Sequence, residues 1–200
     1  MNSEMREATI ERRTAETDVR LRLVLEGTGA GARETGVGFL DHMLDLLARH
    51  ARLDLEVKVD GDLQTGAHHV AEDTALTLGQ ALDRALGDRA GIVRYGSATV
   101  PMDEARASCA IDISGRPFTL FEAELAPGQT GGFDHELTEE FFRAFANAAK
   151  ITLHLRVEAG SNAHHMIEAA FKAFARALGA AVAIDPRESG VPSTKGTLTS

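Results

Sequence analysis

The motif His-His-x-x-Glu occurs twice, as His68-His69-Val70-Ala71-Glu72 and as His164-His165-Met166-Ile167-Glu168, and the chain around the two copies superposes on itself. An offset of 96 aligns the motifs and carries Leu78 onto Phe174 and Leu82 onto Leu178. Upstream the offset is 98, placing Met43, Leu44, Leu47, Ala48 and Leu53 on Phe141, Phe142, Phe145, Ala146 and Ile151. Earlier still, 88 places Glu16 on Glu104, Val19 on Ala107, Leu23 on Ile111, Leu25 on Ile113 and Gly27 on Gly115. Hydrophobic periods match by chance; a repeated histidine pair with its carboxylate does not. The repeat is too long for a solenoid and suits two similar halves sharing one core.

Alternating apolar residues predict half-buried strands over Val19–Leu25, Leu53–Asp60 and Ile151–Glu158. Between them the period lengthens. Leu40, Met43, Leu44 and Leu47 follow Asp41, and Phe141, Phe142, Phe145 and Ala149 follow Thr138, so both stretches read as amphipathic helices. Longer helices are expected from about His68 to Leu86 and from about His164 to Ile184, before Pro186. Thr99–Asp103 reads as a turn around Pro101. The run Gly27-Thr28-Gly29-Ala30-Gly31-Ala32 follows a strand, but Arg33–Gly38 is no helix to receive a pyrophosphate, so Gly27–Gly38 is expected to be a hairpin or mobile loop. No Pro-, Gly- and Ser-rich linker divides the chain. We expect one α/β domain over 1–200, a two-layer α+β arrangement of duplicated ββαβα-type halves (about 8–92 and 93–186) with a polar tail at 187–200.

Charge and composition exclude several classes of function. With 21 Lys and Arg against 30 Asp and Glu, the net charge of −9 argues against nucleic acid as a partner, because phosphate binding requires a basic surface. The longest low-polarity stretch, Ala177–Ile184, is far short of the roughly 20 residues that cross a bilayer, and the amino terminus is charged. No membrane partner is expected, and the chain should be soluble, unexported and cytoplasmic. The single cysteine, Cys109, forms no internal disulfide and reads as a small buried strand residue.

Eight histidines are the unusual count. On a helix, i and i+4 share a face, so His68 with Glu72 and His164 with Glu168 each present an imidazole and a carboxylate to a common point. His69 and His165 are rotated from their neighbours by about 100°, so each suits a different ion. Two doublets thus point to two metals; His and carboxylate ligation without cysteine suits Mn, Fe or Zn, and mixed nitrogen and oxygen donors in number favour an octahedral ion such as Mn²⁺. The 98 offset places His42 on Glu140, one further donor in each half. His50, His135 and His154 fall outside the repeated pattern; His50, near a helix end, and His154, on the polar face of a strand, read as solvated or capping residues.

Phe39-Leu40-Asp41-His42-Met43-Leu44, His68-His69-Val70-Ala71-Glu72-Asp73-Thr74 and Pro101-Met102-Asp103-Glu104 resemble motifs of imidazoleglycerol-phosphate dehydratase, an enzyme of histidine biosynthesis. So do Asp112-Ile113-Ser114-Gly115-Arg116-Pro117, His164-His165-Met166-Ile167-Glu168, Phe171 through Leu178, and Pro192-Ser193-Thr194-Lys195-Gly196. The resemblance covers nearly the whole chain, in order. It implies a ribosomal protein S5 domain 2-like duplicated fold, two Mn²⁺ per active site, and a 24-subunit homo-oligomer with active sites between subunits. It also implies a phosphorylated imidazole substrate, D-erythro-imidazole glycerol phosphate, dehydrated to imidazole acetol phosphate through an imidazolate held by the two metals. Glu16 matches the family's carboxylate beside the substrate and is the first choice for acid-base work, with Glu72 and Glu168 as further candidates. Arg94, Arg116, Ser193, Thr194 and Lys195 match its phosphate-binding positions. Family pattern and i, i+4 geometry together assign His68, Glu72, Glu140 and His165 to one ion and His42, His69, His164 and Glu168 to the other. Glu140 stands where family members carry His; a carboxylate is a competent Mn²⁺ donor.

Two other readings share the ligand set: a two-metal hydrolase that activates water, and a structural site that staples an oligomer. The first has no use for the 193–195 tail, and the second none for a free Glu16 beside an open coordination position.

Overall fold

The computed structural model describes residues 5–198. The first half runs β1 (Glu7–Arg13), β2 (Thr17–Val24), β3 (Arg33–Glu34), α1 (Gly38–Ala51), β4 (Asp54–Gly61) and α2 (His68–Leu86). The second runs β5 (Tyr95–Met102), β6 (Ala105–Asp112), β7 (Phe118–Glu122), the short pair β8 (Gln129–Thr130) and β9 (Phe133–Asp134), then α3 (Leu137–Ala149), β10 (Thr152–Ala159) and α4 (Ala163–Val182). The two four-stranded sheets have matching orders, β1-β2-β4-β3 and β5-β6-β10-β7. In each, three strands are antiparallel and the fourth joins parallel to the last of them. The bounds of β6 are those of β2 shifted by 88, and those of β10 are β4 shifted by 98. The duplicated α/β fold expected from the sequence is the one the chain adopts.

The helices form a layer whose pairing crosses between halves: α1 packs on α4, and α2 on α3. Sheet residues alternate as predicted, with Val19, Leu21 and Leu23 buried and Arg20 exposed. Phe142 and Phe145 of α3 meet Phe171 and Phe174 of α4 at centroid separations of 4.7–5.1 Å. Each such side chain contributes roughly 1.5–3 kcal/mol by leaving water, so this cluster holds the helical layer together. Cys109 is buried on β6, and burial pushes its thiol up, which leaves it unreactive at neutral pH.

The α2–α3 contact is tight at Gly79, where an added Cβ would stand 2.5 Å from the Phe145 carbonyl oxygen. Alanine would gain about 1 kcal/mol of helix propensity. Overpacking against backbone, which cannot rotate away, costs about 1–3 kcal/mol. Gly79→Ala is therefore expected to lower the urea midpoint of unfolding; an unchanged or raised midpoint would contradict the packing described.

Two local expectations change. The Gly27–Gly38 segment is neither a hairpin nor loose. Asp54 accepts hydrogen bonds from the Thr28 and Ala30 N–H groups at 2.7 and 2.9 Å, which hold its carboxyl below the usual range. The Leu55 and Val57 N–H groups donate to the Ala30 and Ala32 carbonyls, and β3 adds parallel to β4. Gly31 recurs in this run because it lies on β4: a Cβ there would sit 2.1 Å from the Leu55 carbonyl. Pro101 lies within β5, opposite Arg106, rather than in a turn. An edge strand tolerates the missing N–H, and the bend falls at Asp103, whose φ is 49°.

The segment after α4 is also fastened. Gly91 N–H donates to the Gly190 carbonyl, and Leu198 is buried, its carbonyl accepting from the buried Arg89 guanidinium. No helix among the described residues is long and apolar enough to cross a membrane.

Candidate active site

Asp41 fixes the start of α1 by accepting from the Thr35 N–H and hydroxyl at 2.8 and 2.7 Å, which places His42 just after the first turn. Because α1 crosses to α4, His42 meets the second motif. Its Nε2 lies 3.4 Å from Glu168 Oε2, and His164 Nε2 lies 3.1 Å from the same oxygen. Among the described residues, this trio alone brings three potential metal donors within 4.8 Å of one another. Bonds of about 2.1 Å separate adjacent donors by about 3.0–3.4 Å in octahedral or tetrahedral shells, so the two measured separations fit a common cation. Glu168 is buried. Burial pushes its carboxyl up, but the hydrogen bond and charge of Lys172, 2.5 Å away, with the bonds from His164 and His42, bring it below its ordinary value. A carboxylate oxygen between two imidazoles is a sound donor set for Mn²⁺.

The repeat-related cluster is looser. His68 Nε2 stands 3.7 Å from Glu72 Oε2, and the side chain of Glu140, half-buried on α3, makes no hydrogen bond or ion pair with any described residue.

His69 and His165 join neither cluster. His69 Nδ1 is 3.0 Å from Asp62 Oδ2, and its Nε2 is 3.6 Å from Glu16 Oε1. His165 Nδ1 is 2.7 Å from Glu104 Oε2, and its Nε2 is 3.9 Å from Asp103. The hydrogen bonds they donate to Asp62 and Glu104 raise the two imidazoles above their usual values. The His165 bond, with the Asn162 and Ser161 N–H groups, holds Glu104 down to about 2. Glu16 is exposed in the β1–β2 turn. Asp62 and Lys172 were not among the sequence candidates; no repeat or i, i+4 signal marks Asp62, and Lys172 offered only its spacing from Glu168.

The candidate phosphate groups gather around the tail. Arg94 gives Nε and Nη2 to Asp112 at 2.7 and 3.2 Å and Nη1 to the Pro192 carbonyl at 2.8 Å. Three of its five N–H donors are thus used to seat the tail, which makes it a support for Ser193–Lys195. Arg116 is exposed, with its backbone N–H on Ser114 Oγ. Ser193 Oγ accepts from the Lys195 N–H at 3.2 Å, and Thr194 and Lys195 are exposed. Gly115 lies against the Leu198 carbonyl, bringing the Arg116 loop beside the tail. His50, His135 and His154 stay outside the clusters; His135 is buried between the Ala126 carbonyl and the Thr130 hydroxyl.

The fold and site define a duplicated α/β chain whose two halves each present a His-His-x-x-Glu helix, with His42 of the first half meeting His164 and Glu168 of the second. A family model for imidazoleglycerol-phosphate dehydratase matches residues 35–178. The imidazoleglycerol-phosphate dehydratase of Xanthobacter autotrophicus is 57% identical over 97% of this chain and 99% of its own length. The crystal structure of the Staphylococcus aureus enzyme superposes with a TM-score of 0.81 at 41% identity, covering 90% of this chain and 99% of the other. The Pyrococcus furiosus enzyme gives 0.81 at 34% identity, covering 94% and 100%. The chain belongs to the imidazoleglycerol-phosphate dehydratase family.

Proposed function

We propose that this chain is the hydro-lyase that converts D-erythro-imidazole glycerol phosphate into imidazole acetol phosphate and water in L-histidine biosynthesis. The observation that carries this reading is the convergence of His42, His164 and Glu168 from helices of different halves, in a chain of this family. Neither reacting carbon is activated by a carbonyl, so the imidazole ring must supply the electrons that expel the hydroxyl. Two Mn²⁺ per active site, when bound, would supply Lewis acidity to the ring and so ease that loss.

His42, His69, His164 and Glu168 would hold one ion, and His68, Glu72, Glu140 and His165 the other. Since His69 and His165 face away from the clusters of their own chain, each completes a set on a neighbouring copy. The active sites then lie between subunits of a homo-oligomer, for which the family resemblance implies 24 copies. Glu16 takes the proton from the carbon beyond the one that loses hydroxyl, and the enol so formed becomes the ketone. Arg116, Ser193, Thr194 and Lys195 bind the phosphate, with Arg94 holding their segment and adding its charge. A phosphate ester is too charged to leave the cell, so the cytoplasm is the working compartment.

Incubating the purified protein with Mn²⁺ and the substrate should yield a ketone one water lighter by mass spectrometry; no conversion would overturn the reading. Arg116→Ala should raise KM by roughly 10–100-fold, the worth of a charged hydrogen bond made alike in ground and transition states, with a smaller change in kcat. An unchanged KM would remove Arg116 from the phosphate site.

A further inference from the structure

We propose that Asp62 and Glu104 are positioning residues that orient the imidazoles of His69 and His165, keeping the proton on Nδ1 and leaving Nε2 as the binding atom. This rests on the reading of those two histidines as ligands. An ionised carboxylate only accepts, so the nitrogen facing it must carry the hydrogen. His69 Nδ1 lies 3.1 and 3.0 Å from the two Asp62 oxygens, and His165 Nδ1 lies 2.7 Å from Glu104 Oε2. In a neutral imidazole the lone pair then sits on Nε2.

Both carboxylates are themselves anchored. Asp62 Oδ2 accepts from the Thr65 hydroxyl at 3.1 Å, and the Asp62 N–H donates to the Glu16 carbonyl at 3.1 Å. Glu104 Oε1 accepts from the Asn162 and Ser161 N–H groups at 2.8 and 3.2 Å, at the entry to α4. One oxygen of Glu104 therefore holds the helix start and the other aims the second residue of its histidine pair.

The two halves reach this end from non-equivalent positions. The residue 98 places after Asp62 is Gly160, which has no side chain to offer. The second half instead uses Glu104, the counterpart of Glu16 at the 88 offset. Asp62 thus relieves Glu16 of the orienting task, and Glu16 keeps only a 3.6 Å approach to His69 Nε2. The duplicated glutamates have diverged: Glu104 is fully engaged as a support, and Glu16 is free for proton transfer.

The test uses the full-length chain with Asp62→Ala, Asp62→Asn, Glu104→Ala and Glu104→Gln. Magic-angle-spinning ¹⁵N NMR of histidine-labelled, metal-free protein reads the tautomers, with His69→Asn and His165→Asn assigning the signals. Calorimetric titration reads Mn²⁺ affinity. The wild type should show Nδ1–H at both histidines. Each Ala variant should lose that preference at its own histidine and bind Mn²⁺ about 10–100-fold more weakly. The Asn and Gln variants, which still offer an acceptor oxygen, should recover part of both. Nε2–H tautomers in the wild type, or Ala variants with unchanged tautomers and affinity, would overturn the proposal. Wild-type protein with Nδ1–H tautomers that binds no Mn²⁺ would instead overturn the ligand reading and leave the orienting role standing.

Discussion

Glu16→Gln is expected to lower kcat by roughly 10²–10⁴ while metal content and KM change little. Glutamine keeps the shape and hydrogen-bonding reach of the side chain but cannot accept a proton, and general acid-base catalysis contributes about that range. The residue is exposed at the β1–β2 turn, with its backbone N–H on the Thr14 hydroxyl, so the substitution should not disturb the core. Steady-state kinetics with metal analysis on the same sample checks this. If kcat stays near normal with both ions bound, Glu16 is not the acid-base and the role passes to Glu72, Glu168 or Asp103. Glu104 is the weaker alternative, because its oxygens are taken by His165, Ser161 and Asn162.

Glu168→Ala should have an effect as large by a different route. It removes the buried oxygen on which His42 and His164 converge. Lewis acidity at a reacting centre is worth several kcal/mol, and at 1.36 kcal/mol per power of ten its loss costs about three orders of magnitude in rate. The change also strips Lys172 of its partner, so a fall in activity could reflect damaged packing. Glu168→Gln separates the two, since it preserves volume and an acceptor for Lys172. Both variants should lose tightly bound metal, and the Gln variant should retain the wild-type circular dichroism. Full metal occupancy in either would remove Glu168 from the ligand set.

The repeat was legible because hydrophobic period and chemistry recur together: the shifts that align Glu16 with Glu104 and His68 with His164 are those relating β2 to β6 and α2 to α4. Elements with weak periodic signals were missed. In β1 only Ala8 and Ile10 turn inward, and β3 pairs over two residues. The Gly-rich segment before α1 looked loose because what fastens it, Asp54 and the β4 backbone, lies far along the chain. The site divides similarly. Helix geometry fixes His164 relative to Glu168, but nothing local says that α1 rather than α3 crosses α4 and brings His42 to them. Nor does it show that Asp62 and Glu104 turn His69 and His165 away from their neighbours.

The central claim is that dehydration of the phosphorylated imidazole depends on ions held by this chain's histidines and carboxylates. Stripping the protein with a chelator, adding Mn²⁺ back stepwise, and measuring bound metal and dehydration rate on each sample tests it most directly. Dehydration should be lost in the stripped protein and return as occupancy climbs to two ions per active site. Full turnover by metal-free protein, or none by protein carrying both ions, would contradict it.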